Sequence, residues 1–240
     1  MTKVTRRQPD NGPEQYPVAA RSASHFVAAS ILGALLILVH SSVRAEVFLD
    51  CGTMEEYFGV DVNGPYDYTN LTDVRENLPI VERNHFTEEV ERLERGTHHA
   101  RDPMGDIAYT LRAFPNHTRA LYAMVRYQLK MQKPPAPGHR GSADCYFYFA
   151  MSFKPDDGAV LTIYAIYLHR VGRLDEALGR YNQALEFASN SAGLHYNLGL
   201  LYFDLSDFTS SREHAIRAYE LGYPLPGLRT KLEKAGNWVE

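Results

Sequence analysis

The sequence predicts an all-α fold: an α-solenoid of helical hairpins, preceded by an irregular N-terminal arm and closed by a C-terminal capping helix. Three observations lead there. Apolar and small residues recur every 34 residues through the C-terminal half. Each period divides into two amphipathic stripes with helical spacing. Proline and glycine fall between the stripes rather than within them.

The period is visible in seven columns. Ala150, Ala184 and Ala218 form one, Ala143, Ala177 and Ser211 a second, and Phe153, Phe187 and Leu221 a third. Tyr164 aligns with Leu198, Ala165 with Gly199, Leu168 with Tyr202 and Leu174 with Phe208. Self-similarity at this length is the signature of stacked supersecondary units, because a lone hairpin leaves an apolar face uncovered. Small residues have a physical task there, since antiparallel helices approach closely only where side chains are short.

Within the period, Leu161, Tyr164, Ala165 and Leu168 make the stripe of a helix over 159–171, which Gly172 breaks. Leu174, Ala177, Leu178, Tyr181, Ala184 and Leu185 make the next, over 174–187. Two regular units follow, 158–191 and 192–225. An earlier unit, 118–157, is interrupted: its helices run over 118–131 and 143–153, and the Lys133-Pro134-Pro135-Ala136-Pro137-Gly138 stretch between them forms no helix. Residues 104–114 read as the second helix of a degenerate unit. Tyr223-Pro224-Leu225-Pro226 stops the last hairpin. A capping helix over 227–236, within a 224–240 segment, would cover it with Leu228 and Leu232 while Arg229, Lys231, Glu233 and Lys234 face water.

The period, Leu198-Gly199 with Tyr202, Ala177 with Tyr181 and Ala184, and Pro155 closing a unit together resemble tetratricopeptide (TPR) repeats, in the style of exported bacterial TPR proteins. Ser189 stands where the pattern has proline and His195 where it favours tryptophan. The resemblance implies that the first helix of each hairpin lines a concave binding face. Counted along each unit, its outward positions are Arg119, Tyr122, Arg126 and Lys130, then Thr162, His169 and Arg170, then Tyr196, Asn197, Phe203 and Asp204. Cations among aromatics suit peptide carboxylates, ring stacking or glycan, although the same tyrosines could pack between helices. The clamp for acidic C-terminal peptides found in cytosolic chaperone adaptors does not line up here.

Residues 1–45 carry a different message. Lys3, Arg6, Arg7 and Arg21 lead into the apolar run from Phe26 to Val39, and Val43-Arg44-Ala45 places small or aliphatic residues before a cut. That order reads as a secretory signal peptide. The run falls short of the roughly 20 residues that span a bilayer; retention as an anchor through 26–43 is the alternative. Export would place the protein in the periplasm or outside the cell, and retention of the segment would tether it to the inner membrane. The whole chain holds 25 basic and 29 acidic residues, a net −4. Removing 1–45 leaves 20 against 27, a net −7, a charge unsuited to general nucleic-acid binding.

Both cysteines, Cys51 and Cys145, lie beyond the cut. In an oxidising compartment an isolated pair forms a disulfide, here across 94 residues, tying the 46–103 arm to the repeats. Neither has Cys or His neighbours at zinc spacing. In the arm, Gly64-Pro65 is turn chemistry and residues 87–96 read as a helix. Glu88, Glu89, Glu91 and Glu94 form its wet face, His85 leads into it, and His98-His99 follows in a polar loop. Asn70-Leu71-Thr72 and Asn116-His117-Thr118 match the glycosylation acceptor pattern, a common chance occurrence.

No motif for nucleophilic, phosphoryl or dinucleotide chemistry is present. The expectation is a non-enzyme without catalytic residues, metal or cofactor. It would bind a protein or peptide partner as a scaffold; a homo-oligomer or filament of copies, or a glycan-binding module, are the rival readings.

Overall fold

A computed structural model describes residues 50–58, 63–97, 102–131, 134–135 and 140–238. The signal or anchor segment, the His98-His99 loop and most of the 133–138 proline-rich stretch lie outside these. All twelve described elements are α-helices. The arm carries α1 (Met54–Phe58), α2 (Leu71–Glu76), α3 (Leu78–His85) and α4 (Glu88–Glu91), followed by α5 (Met104–Ala113). Then come α6 (Thr118–Lys130) with α7 (Ala143–Phe153), α8 (Gly158–Arg170) with α9 (Leu174–Ala188), and α10 (Ala192–Asp204) with α11 (Phe208–Glu220). The last helix is α12 (Gly227–Lys234). This is a TPR-like α-solenoid: α8 packs on α9 and α10 on α11, and each pair leans on the next.

The hairpin helices begin at good caps. The side chains of Ser142, Asp157, Ser191 and Asp207 each accept a bond from a first-turn N–H, which satisfies a donor that the helix cannot. His117 does the same for α6 through Nδ1. The small columns are the packing seam: Ala143, Ala150, Ala177, Ala184, Ala218 and Ser211 are all inaccessible to solvent. Ser211, a hydroxyl where earlier units have alanine, donates to the Gly199 carbonyl at 2.8 Å, so its burial leaves nothing unpaired. The third column is peripheral, and Phe187 is exposed. Gly199 itself permits the close approach of the cap, because a Cβ there would sit 2.6 Å from Leu228 Cδ2.

One polar tie links the middle of the array. Arg173, at the start of α9, reaches the buried carboxylate of Asp144 on α7 and also pairs with Glu176. Tyr164 donates its hydroxyl to the same Asp144 at 2.7 Å. A buried carboxylate needs such partners.

The arm is more helical than the sequence reading allowed, and differently divided. Pro79 lies in the first turn of α3, where a missing N–H costs nothing; α2 and α3 were both unforeseen. Conversely, the expected helix over 87–96 stops after α4. Leu93 adopts a left-handed conformation, φ 62°, and the Glu94 N–H bonds back to the Glu89 carbonyl. Leu93 packs on the main core from that position, which offsets the strain of roughly 1–2 kcal/mol for a branched residue there. His85 therefore ends α3 rather than leading into the next helix.

The arm is fastened at several points. Cys51 and Cys145 are joined by a disulfide, beside which Tyr57 stacks on Phe149 at 3.8 Å. Tyr66 and Tyr68 close over Phe114. Asn116 is fully buried: its amide donates to Asp67 at 2.8 Å and Asp157 at 3.0 Å and accepts from the Tyr68 N–H. One of the two glycosylation patterns is thus a structural node, while Asn70 caps α2 at the surface.

Candidate functional site

The outward positions of α6, α8 and α10 do not form a uniform open surface. At the N-terminal end, Thr118, Arg119, Tyr122 and Arg126 of α6 face Glu88, Glu91 and Arg92 across a groove of about 570 Å³. Tyr122 is 44% exposed and lies under the Arg126 guanidinium, 5.7 Å from ring centre to Cζ. Arg119 is committed to the arm, pairing with Glu82 and Glu91. Those carboxylates raise its pKa further, and they stay ionised below the usual carboxylate range because Arg119 and His117 hydrogen-bond to them. Arg126 donates to the Glu91 carbonyl and keeps a buried Nε with no acceptor among the described residues. Lys130, one helical turn on, is exposed.

In the middle of the face, two short polar residues bond to their own helices. Thr162 donates to the Gly158 carbonyl at 2.7 Å, and Asn197 to the Gly193 carbonyl at 2.8 Å. Both satisfy themselves on the preceding turn, as short polar side chains in helices do. Arg170 is exposed at the end of α8.

A ladder of charge crosses the far ends of α8, α10 and α12. His169 meets Asp204 at 2.9 Å, Asp204 meets Lys231 at 3.4 Å, and Lys231 lies over the Phe203 ring at 4.8 Å. Tyr196, by contrast, is buried and stacks on Tyr223 at 4.0 Å. Burial pushes the Tyr223 phenol pKa up, and the neighbouring phenols of Tyr196, Tyr122 and Tyr219 add to it.

The structure thus pairs Tyr122 with Arg126 and Tyr196 with Tyr223, and joins His169, Asp204 and Lys231 in a ladder. Sequence reasoning missed Glu82, Glu91, Arg92, Tyr223 and Lys231. The first three belong to the arm, which shows no period, and Tyr223 was read as the start of a turn. Only Lys231 carried a signal, as a charged position of the capping helix. Among the described residues, no group of three or more His, Cys, Asp or Glu is placed to hold a metal ion, and no helix is long and apolar enough to cross a membrane.

A sequence model of the TPR repeat matches residues 168–206, from the end of α8 through α9 and α10. The chain is also similar to Tetratricopeptide repeat protein 30 homolog of Caenorhabditis briggsae, with 39% identity over 56 residues. That stretch is 23% of this chain and 8% of the relative. The matches and the packed hairpins together support a TPR repeat identity for the solenoid, a module that in general mediates protein–protein interaction.

Proposed function

We propose that this protein is an exported TPR scaffold that binds a protein or peptide partner in the bacterial envelope or at the cell surface, rather than an enzyme. The observation that carries the reading is the α6 groove. A half-exposed tyrosine under an arginine, beside charges already oriented by the arm, is a pre-organised contact for an extended chain: the aromatic supplies area, the cations supply direction. Export is supported by the layout of residues 1–45 and by the Cys51–Cys145 bond, which persists in oxidising compartments.

Recovery of a partner from an envelope fraction by the tagged protein tests this. Tyr122→Ala reduces recovery at least tenfold while the melting temperature stays within a degree or two, because the ring is exposed. Unchanged recovery contradicts the assignment. Arg126→Ala is the poorer probe, since it also releases the arm at Glu91.

A further inference from the structure

A second groove lies between α11, the 221–226 turn and α12. It encloses about 440 Å³ and is lined by Ile216, Tyr219, Tyr223, Pro224, Pro226 and Trp238, with Glu220 on its rim. Its walls are mostly apolar. Tyr219 meets the edge of Trp238 at 6.2 Å, and the Arg229 guanidinium lies over the indole at 5.1 Å. Arg229 is itself held, its backbone N–H donating to the Tyr219 hydroxyl at 3.0 Å and its Nε to Glu233 at 2.8 Å. Aromatic rings fixed side by side, with prolines between them, are the chemistry that receives a polyproline II segment, whose ring faces lie flat on aromatics.

The chain carries such a segment. Lys133-Pro134-Pro135-Ala136-Pro137 has prolines three residues apart, the spacing that a polyproline II helix of three residues per turn requires to present two rings on one side. It begins with a cation, and the groove rim offers Glu220, whose pairing with Arg217 is a 3.2 Å contact in the open and is exchanged at little cost. We infer that the groove at the C-terminal end of the solenoid receives the proline-rich segment 133–137 of a second copy. A groove and a segment on different parts of one chain make a heterologous contact, which propagates copy to copy rather than closing on itself. The two grooves share no lining residue.

Trp238 is the only tryptophan in the chain, so its fluorescence reports on the groove alone. A synthetic peptide covering residues 132–139, titrated into the purified chain, shifts that emission saturably with a micromolar to millimolar Kd. The same peptide with serine in place of Pro134 and Pro137 does not, and Tyr223→Ala in the protein weakens binding at least tenfold. Sedimentation of the full chain shows concentration-dependent association that Pro134→Ser with Pro137→Ser abolishes without changing the melting curve. An unaltered Trp238 emission at saturating millimolar peptide overturns the proposal. So does a chain that binds the peptide yet stays monomeric at every concentration, a result that would make the groove a site for a foreign proline-rich partner.

Discussion

Two buried tyrosines, Tyr164 on α8 and Tyr181 on α9, differ in chemistry. The Tyr164 hydroxyl donates to Asp144, whereas the Tyr181 hydroxyl is buried with no partner among the described residues; burial raises the pKa of both. Tyr181→Phe therefore leaves stability unchanged or raises it by about 1 kcal/mol, while Tyr164→Phe lowers it by about 1–3 kcal/mol; urea unfolding separates the two. A pair of histidines supplies a pH dependence. His195 Nε2 donates to the Ser189 carbonyl at 2.9 Å, so its Nδ1 accepts from His214 Nδ1–H, also at 2.9 Å. Burial, with the neighbouring His195, lowers the His214 pKa to about 4. The neutral form is favoured in the fold, so this contribution is complete above about pH 6.5 and is lost as pH falls toward the folded value. Asp67 acts in a lower window: burial would raise its pKa, but bonds from Thr69, Asn116 and Lys154 outweigh that and bring it to about 2. Its contribution is complete above about pH 4 and disappears on the way down. Thermal melts from pH 7 to pH 2 show both steps; His214→Gln removes the first and Asp67→Asn the second. Neither network was legible in the sequence, because each joins side chains from elements that only the fold brings together. The division of tyrosines between packing and contact was equally hidden: Tyr122 and Tyr196 occupy comparable outward positions, but only Tyr196 is covered by Tyr223.

At the scale of the element, the repeat was legible almost to the residue. Expected helices over 118–131, 143–153, 159–171 and 174–187 are found at Thr118–Lys130, Ala143–Phe153, Gly158–Arg170 and Leu174–Ala188, because cap, stripe and breaker all agree there. The arm was not, because its helices are four to eight residues long, too short to show a period, and are held by tertiary contacts instead of propensity. Helix endings yield a test. Gly172 and Ser206, one period apart, both adopt the left-handed conformation that ends their helices, φ 79° and 63°. The conformation is nearly free for glycine and strained for serine. Ser206→Gly therefore stabilises by about 1 kcal/mol and Gly172→Ser destabilises by a similar amount, read from paired denaturation midpoints. Gly199→Ala costs about 1–3 kcal/mol for a different reason, the Leu228 methyl and the Ser211 carbonyl that its Cβ would meet.

For the whole molecule, the arm completes the solenoid: it supplies Glu82 and Glu91 to orient Arg119 and holds Asn116, and it is tied to α7 by the disulfide. Closing a loop of 94 residues stabilises by roughly 4 kcal/mol in the chain-entropy model. Reduction, or Cys51→Ser with Cys145→Ser, lowers the denaturation midpoint accordingly, and does so without melting α8 to α11, whose contacts are local. The central claim is that the α6 groove, bounded by the arm, is where a partner sits. Photo-crosslinking in the host tests it most directly, with a benzophenone amino acid placed at Tyr122 and, on the opposite helix of a later hairpin, at the exposed Phe187. Adducts of defined mass at position 122, absent at 187, are the expected result; adducts at 187 with none at 122 would contradict it.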